Sequence, residues 1–217
     1  MAPSSAPLRL AVFDLDGTLL RGATVCEMLA IGLGHGQRMR ELEQLTELED
    51  IRKAREEIVV WYKDHSRHHL ESLLSTSYLA PGAEAALEFL ARRGVKIAIA
   101  SLTWLFAVNW FGARLGADFT LGSEFHPDGG IDHCWPIDKA RWVARLSKEL
   151  GCSRDSVAVV GDSTFDVPML WEAGSPVFVG TRVLPGLPDR TELMPAADIR
   201  AVVARIIPER KPEFGLS

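Results

Sequence analysis

Phe13-Asp14-Leu15-Asp16-Gly17-Thr18 follows the run Leu8-Arg9-Leu10-Ala11-Val12 near the start of the sequence. Nearly unbroken apolar character over so short a stretch predicts a strand covered on both faces, as in a parallel sheet. Side chains two apart on a strand point the same way. Asp14 and Asp16 therefore converge just past the strand's end. Two carboxylates held together out of water repel each other, and a bound cation relieves the repulsion. Gly17 supplies the turn that follows. An EF-hand calcium loop fails on spacing, since it needs glycine at its sixth position and glutamate at its twelfth. Counted from Asp14, the glycine here is fourth and the twelfth residue is Val25.

Downstream, residues 24–77 read as helical and charge-rich, with Leu42, Leu45, Leu48, Ile51, Ile58, Val59 and Tyr62 at helical spacing. Gly32-Leu33-Gly34-His35-Gly36 interrupts them. It follows no strand and lacks dinucleotide-loop spacing, so it reads as an interhelical turn. Pro81-Gly82 marks a boundary. Beyond it the pattern alternates: helix 83–93 closed by Gly94, strand 95–100, helix 103–115, a hairpin near Asp128-Gly129-Gly130, and a helix from Pro136 to about 150. Strand 157–160, helix 168–173, strand 176–179 and helix 197–207 complete it. Such alternation predicts an α/β fold, a Rossmann-like parallel sheet with helices on both faces. The core is expected over residues 1–22 and 78–217, with an all-helical cap inserted at 23–77.

The bulk composition narrows the function classes. The 217 residues are 47% apolar, enough for a sizeable core, and carry a formal charge of -5. That charge offers no long-range attraction to nucleic acid or anionic lipid. No apolar run is long enough to span a membrane, and no secretory signal is visible at the N-terminus. Cys26, Cys134 and Cys152 are odd in number and unpaired in pattern, reading as reduced thiols of a cytoplasmic protein. The expected form is a monomer or homodimer, without nucleic-acid or membrane partners.

In a doubly wound sheet, ligands gather at the carboxyl ends of the strands. The polar residues at those ends are Asp14 and Asp16, then Ser101, then Asp162. Lys139 falls in the first turn of the Pro136 helix, where the dipole disfavours a cation unless an anion faces it. Together they describe a phosphoryl-transfer site. Asp14 would attack phosphorus and Asp16 would act as acid and base. Ser101 and Lys139 would hold phosphate oxygens, Asp162 would hold a metal, and Asp166 would support the metal or Lys139. A magnesium ion would offset the repulsion between carboxylate and phosphate.

Four segments, Asp14-Leu15-Asp16-Gly17-Thr18, Ser101, Lys139 and Gly161-Asp162-Ser163-Thr164-Phe165-Asp166, resemble the haloacid dehalogenase superfamily. The match covers about residues 8–22 and 80–205. It implies magnesium-dependent phosphatase chemistry on a small phosphorylated metabolite, with Asp14 as nucleophile, Asp16 as acid/base, side-chain metal ligands from Asp14 and Asp162, and a backbone carbonyl ligand from Asp16. The helical insertion is similar to the cap of the phosphoserine phosphatase-like branch. For substrate contacts the resemblance implies Thr18, Ser101, Leu102, Thr103 and Lys139, with Glu27 and Arg55 from the cap. The chain departs from that branch at three points. Ala23 stands where a substrate-binding glutamate is expected, Ser101-Leu102-Thr103 replaces Ser-Gly-Gly, and Phe165 replaces Asn. Trp61, Trp104 and Phe165 are candidates for a more apolar pocket. A phosphotransferase using an acceptor other than water and a non-catalytic binding protein are the alternative functions.

Two further clusters read as unrelated to the site. His65, His68 and His69 share a helix face without an acidic or cysteine partner and belong to a solvated surface. His126, His133 and Cys134 lack a fourth ligand at zinc spacing.

Overall fold

The computed structural model describes residues 6–195 and 198–207. Its strands are β1 (Leu10–Phe13), β2 (Leu20–Arg21), β3 (Tyr78–Leu79), β4 (Lys96–Trp104), β5 (Phe119–Phe125), β6 (Ile131–Asp132), β7 (Val157–Gly161), β8 (Ser175–Val179) and β9 (Glu192–Met194). Its α-helices are α1 (Val25–Gly32), α2 (Gly36–Leu42), α3 (Leu48–Tyr62), α4 (Arg67–Leu73), α5 (Ala83–Arg92), α6 (Leu105–Leu115), α7 (Pro136–Glu149), α8 (Val167–Leu170) and α9 (Ile199–Ile206). Among the described residues the main sheet has seven strands in the order β6-β5-β4-β1-β7-β8-β9. All neighbours run parallel except the β5–β6 hairpin.

The first strand organises this sheet because every residue in it is buried. Leu10 and Val12 point to one face, where they pack with Val143, Leu146 and Leu170 of α7 and α8. Ala11 and Phe13 point to the other, against Leu87 and Leu90 of α5, Phe111 of α6 and Val203 of α9. Alternation along one strand thus feeds two separate cores, as expected of a doubly covered strand. Chain order reverses at β1, which pairs with β4 on one side and β7 on the other. The crevice at its carboxyl end is therefore the natural ligand position.

Helices α1 to α4 lie between β2 and β3, which pair antiparallel where the chain leaves and re-enters the core. They are tied down by an aromatic cluster. Tyr62 of α3 meets Trp104 and Phe106 edge-on at 5.9 and 6.5 Å and accepts a hydrogen bond from Trp104 Nε1 at 3.1 Å. Such pairs contribute about 0.5–1.5 kcal/mol each beyond their buried area.

Several elements differ from the sequence expectation. Strand β4 continues to Trp104, so α6 begins at Leu105 rather than Thr103. A register shift against β5 between Ala100 and Trp104 accommodates the extra residues, and burial of Trp104 holds them extended. Helix α8 covers only Val167–Leu170 and stops three residues short of the expected end, because the chain turns at Trp171–Glu172 and Gly174 N–H is taken by Arg154 O and Val157 O on the way into β8. The edge strand β9 was not anticipated; its three half-buried residues carry too short a pattern. The expected start of the last helix, Ala197, lies outside the described residues; the helix is described from Ile199.

Candidate active site

Asp14 is delivered by the end of β1, where its backbone N–H donates to Val160 O at 2.9 Å. From the opposite side comes Lys139. Pro136 sits in the first turn of α7, and the Asp138 carboxylate accepts the Trp135 N–H at 3.1 Å. This capping fixes the first turn and aims Lys139 inward, with the residue fully buried. Its ammonium donates to Asp14 Oδ1 at 2.7 Å and to Asp166 Oδ1 at 2.5 Å. The other oxygen of Asp166 accepts Asp162 N, Ser163 N and Ser163 Oγ, each at 3.0 Å. Asp166 is thus a fully committed carboxylate that braces both the lysine and the loop after β7. The Lys139 pKa lies above its ordinary value: burial opposes the charge, but Asp14 and Asp166 together outweigh it.

Asp162 accepts a hydrogen bond from Thr18 Oγ1 at 3.2 Å. Burial first, then Asp166, push its carboxyl up to about 6. Asp14 is likewise raised, by burial and Asp166 against the pull of Lys139. Asp16 points away from this group, accepting the Val25 N–H at the start of α1 at 2.8 Å. Burial raises it to about 7, with the Val25 hydrogen bond opposing. A carboxyl poised there can both hold and accept a proton near neutrality.

Gly17 closes the loop between them. Its φ is +85°, and a Cβ would stand 2.1 Å from Asp162 Oδ2. A Gly17→Ala variant is therefore expected to displace the Asp162 carboxylate. It should weaken divalent-cation binding on the order of 10- to 100-fold in a calorimetric titration. Unchanged affinity would contradict this placement.

Asp14, Asp16, Lys139 and Asp166 line a cavity of about 280 Å³ roofed by α2 and α3, while Asp162 lines a neighbouring hollow. A sequence model of the haloacid dehalogenase-like hydrolases matches residues 11–170. The chain belongs to this family. Among similar proteins, phosphoserine phosphatase from Archaeoglobus fulgidus is 30% identical over 178 residues, covering 76% of this chain and 51% of that protein. The chain thus spans about half the length of that relative. Phosphoserine phosphatase from Campylobacter jejuni is 27% identical, over 77% of this chain and 84% of that one. A solved phospho-aspartyl intermediate analogue of phosphoserine phosphatase superposes with TM-score 0.75 at 20% identity, over 91% of this chain and 98% of that one. A hydrolase of the same family from Salmonella enterica reaches 0.81 at 17%, over 94% and 74%. At such identities the structures establish the Rossmann-like fold.

The family implies a metal, and the donor set suits one. Oxygens of Asp14, Asp162 and Asp166 lie within 4.8 Å of one another. Asp14 and Asp166 hold one fully buried ammonium with Asp162 beside them, and burial drives Asp14, Asp162 and the nearby Asp16 toward protonation. A hard divalent cation on oxygen ligands would replace those protons. Since Asp166 is already saturated, Asp14 and Asp162 are the side chains left to hold it.

The other expected residues are scattered more widely. Ser101, Leu102 and Thr103 line the cavity, as does Arg55. Thr18 is buried and engaged with Asp162. Glu27 does not line the cavity; its carboxylate accepts the Thr24 N–H at 2.9 Å in the capping box of α1. Glu43 stands there instead, accepting Thr24 Oγ1 at 2.5 Å. Trp104 and Phe165 line the cavity, while Trp61 stacks on His35 at 4.5 Å. His65 and His69 stack on each other at 5.0 Å, and His126 pairs with Asp132. All three cysteines are free. Among the described residues, no helix is long and apolar enough to cross a membrane.

Proposed function

We propose that the chain is a magnesium-dependent phosphatase that hydrolyses a small-molecule phosphate monoester through an aspartyl-phosphate on Asp14. The observation that carries this reading is the Lys139 ammonium, buried between Asp14 at 2.7 Å and Asp166 at 2.5 Å on the floor of a cavity. The relatives named phosphoserine phosphatase support it.

With Lys139 holding Oδ1, the second oxygen of Asp14 is free to attack phosphorus. The P–O ester bond breaks, and the leaving oxygen takes the proton held by Asp16. Asp16 then removes a proton from water, whose oxygen attacks the same phosphorus. Cleavage of the acyl phosphate releases inorganic phosphate and restores the Asp14 carboxylate. An ionised carboxylate needs no separate base to act as nucleophile. Lys139 and Ser101 bind phosphoryl oxygens, and Asp166 keeps Lys139 aimed. Magnesium held by Asp14 and Asp162, with the Asp16 backbone carbonyl as a third ligand, would supply charge compensation for the incoming dianion.

The experiment is release of inorganic phosphate from acetyl phosphate. Release is expected with magnesium and should be lost on adding EDTA. Equal rates with and without the metal would contradict the reading.

A further inference from the structure

We infer that the alcohol released by this site is compact, apolar and uncharged, and that esters whose alcohol carries a carboxylate are rejected. This rests on the phosphatase reading above and names the substrate class of the same site.

The cavity has two ends of opposite character. Its floor is the carboxylate and lysine cluster that would meet the phosphoryl group. Away from that floor, Met39, Leu42, Ile51 and Ile58 from the inserted helices face Trp104 and Phe165 from the core. Burying apolar carbon against such walls is favourable, by about a factor of four per methylene. A charged group there would lose water with nothing in return unless a free counter-ion met it.

Among the described residues that line the cavity, no cation stands unengaged for a carboxylate. Beyond Lys139, Arg55 is the cation in the lining, and both terminal nitrogens of its guanidinium are already engaged. Nη2 donates to Leu102 O at 2.7 Å, and Nη1 to His133 Nδ1 at 3.2 Å and Cys134 O at 3.5 Å. Its plane lies over Trp135, 4.7 Å from the ring centroid. A guanidinium in such a fixed fork cannot turn to a ligand without abandoning these acceptors. Arg55 is a clasp between α3 and the core, and a positioning residue for the cavity wall. Glu43 adds a negative charge to the lining, which repels a second carboxylate. At about 280 Å³ the cavity sits near the lower end of small-molecule sites, about 300–1,000 Å³, so the alcohol must be compact.

The test compares kcat/KM of the magnesium-loaded protein for three esters, 3-methylbutyl phosphate, L-phosphoserine and O-phosphoethanolamine, and for the acyl phosphate acetyl phosphate. The expected result is a preference for 3-methylbutyl phosphate over phosphoserine on the order of 100-fold. If phosphoserine matches or exceeds it, the inference fails, while turnover of acetyl phosphate leaves the phosphatase reading standing. Preference for phosphoethanolamine overturns the uncharged class in favour of a cation at Glu43. No turnover of any of the four compounds defeats both readings. In a second arm, Met39→Gln should cut the preference about tenfold by placing an amide in the apolar wall; an unchanged ratio overturns the pocket assignment. Should that variant fail to melt cooperatively, Ile51→Thr at a half-buried position carries the same expectation.

Discussion

Asp14→Asn is expected to lower phosphate release by about 10,000-fold or more while leaving the fold intact. The amide keeps the size of the carboxylate, and its oxygen can still accept from Lys139. What it loses is the negatively charged oxygen that attacks phosphorus, and no nearby serine or cysteine is activated to replace it. Losing the nucleophile of a covalent mechanism removes nearly the whole chemical advantage of the site. Stability should hold or rise, because one of four crowded carboxylates is neutralised. Thermal melts alongside steady-state rates check both halves. Retention of more than a few per cent of activity would assign the attack elsewhere.

Lys139→Met is the second large effect, and it acts on stability as well as rate. In the native protein the ammonium neutralises two buried acids at once. Removing a single partner from a buried ion pair costs about 3–5 kcal/mol, because the remaining charges are stranded. For a chain of this length that corresponds to a fall in Tm on the order of 10 °C. Activity should fall as well, since Asp14 loses its anchor and the phosphoryl group loses a cation. A melt within a degree or two of the parent would show that the pair contributes little. Lys139→Arg should not rescue the rate, because a planar fork cannot fit a fully buried slot shaped around a slender ammonium.

The chemical end of this site was legible because each residue sits at a punctuation mark of the fold. Asp14 and Asp16 end an apolar strand, Asp162 follows another, and Lys139 stands where a helix dipole ordinarily rejects a cation. Strand alternation then suffices to bring them to one rim. The substrate end was less legible. Met39, Leu42 and Ile58 fall on helical stripes that look like any helix core, and only the packing of α2 and α3 over the sheet turns them into walls. Glu43 lay in a charge-rich segment that reads as a solvated face. Arg55 was marked for the substrate, but its guanidinium is taken by Leu102 O and His133, partners more than 40 residues away in sequence. No local pattern encodes such a pairing. The bulge in β4 was hidden for a related reason. The strand was expected to end at 100 and a helix to begin at 103, whereas burial of Trp104 and pairing with β5 keep the strand going.

The most direct test of the account is chemical trapping of the covalent state. Protein turning over acetyl phosphate with magnesium is quenched with borohydride, which reduces an aspartyl-phosphate to homoserine, and the peptide containing residue 14 is sequenced by mass spectrometry. Homoserine at position 14, absent when either substrate or magnesium is withheld, is the predicted result. Sustained phosphate release with unmodified aspartate at position 14, or reduction at a different carboxylate, would contradict it.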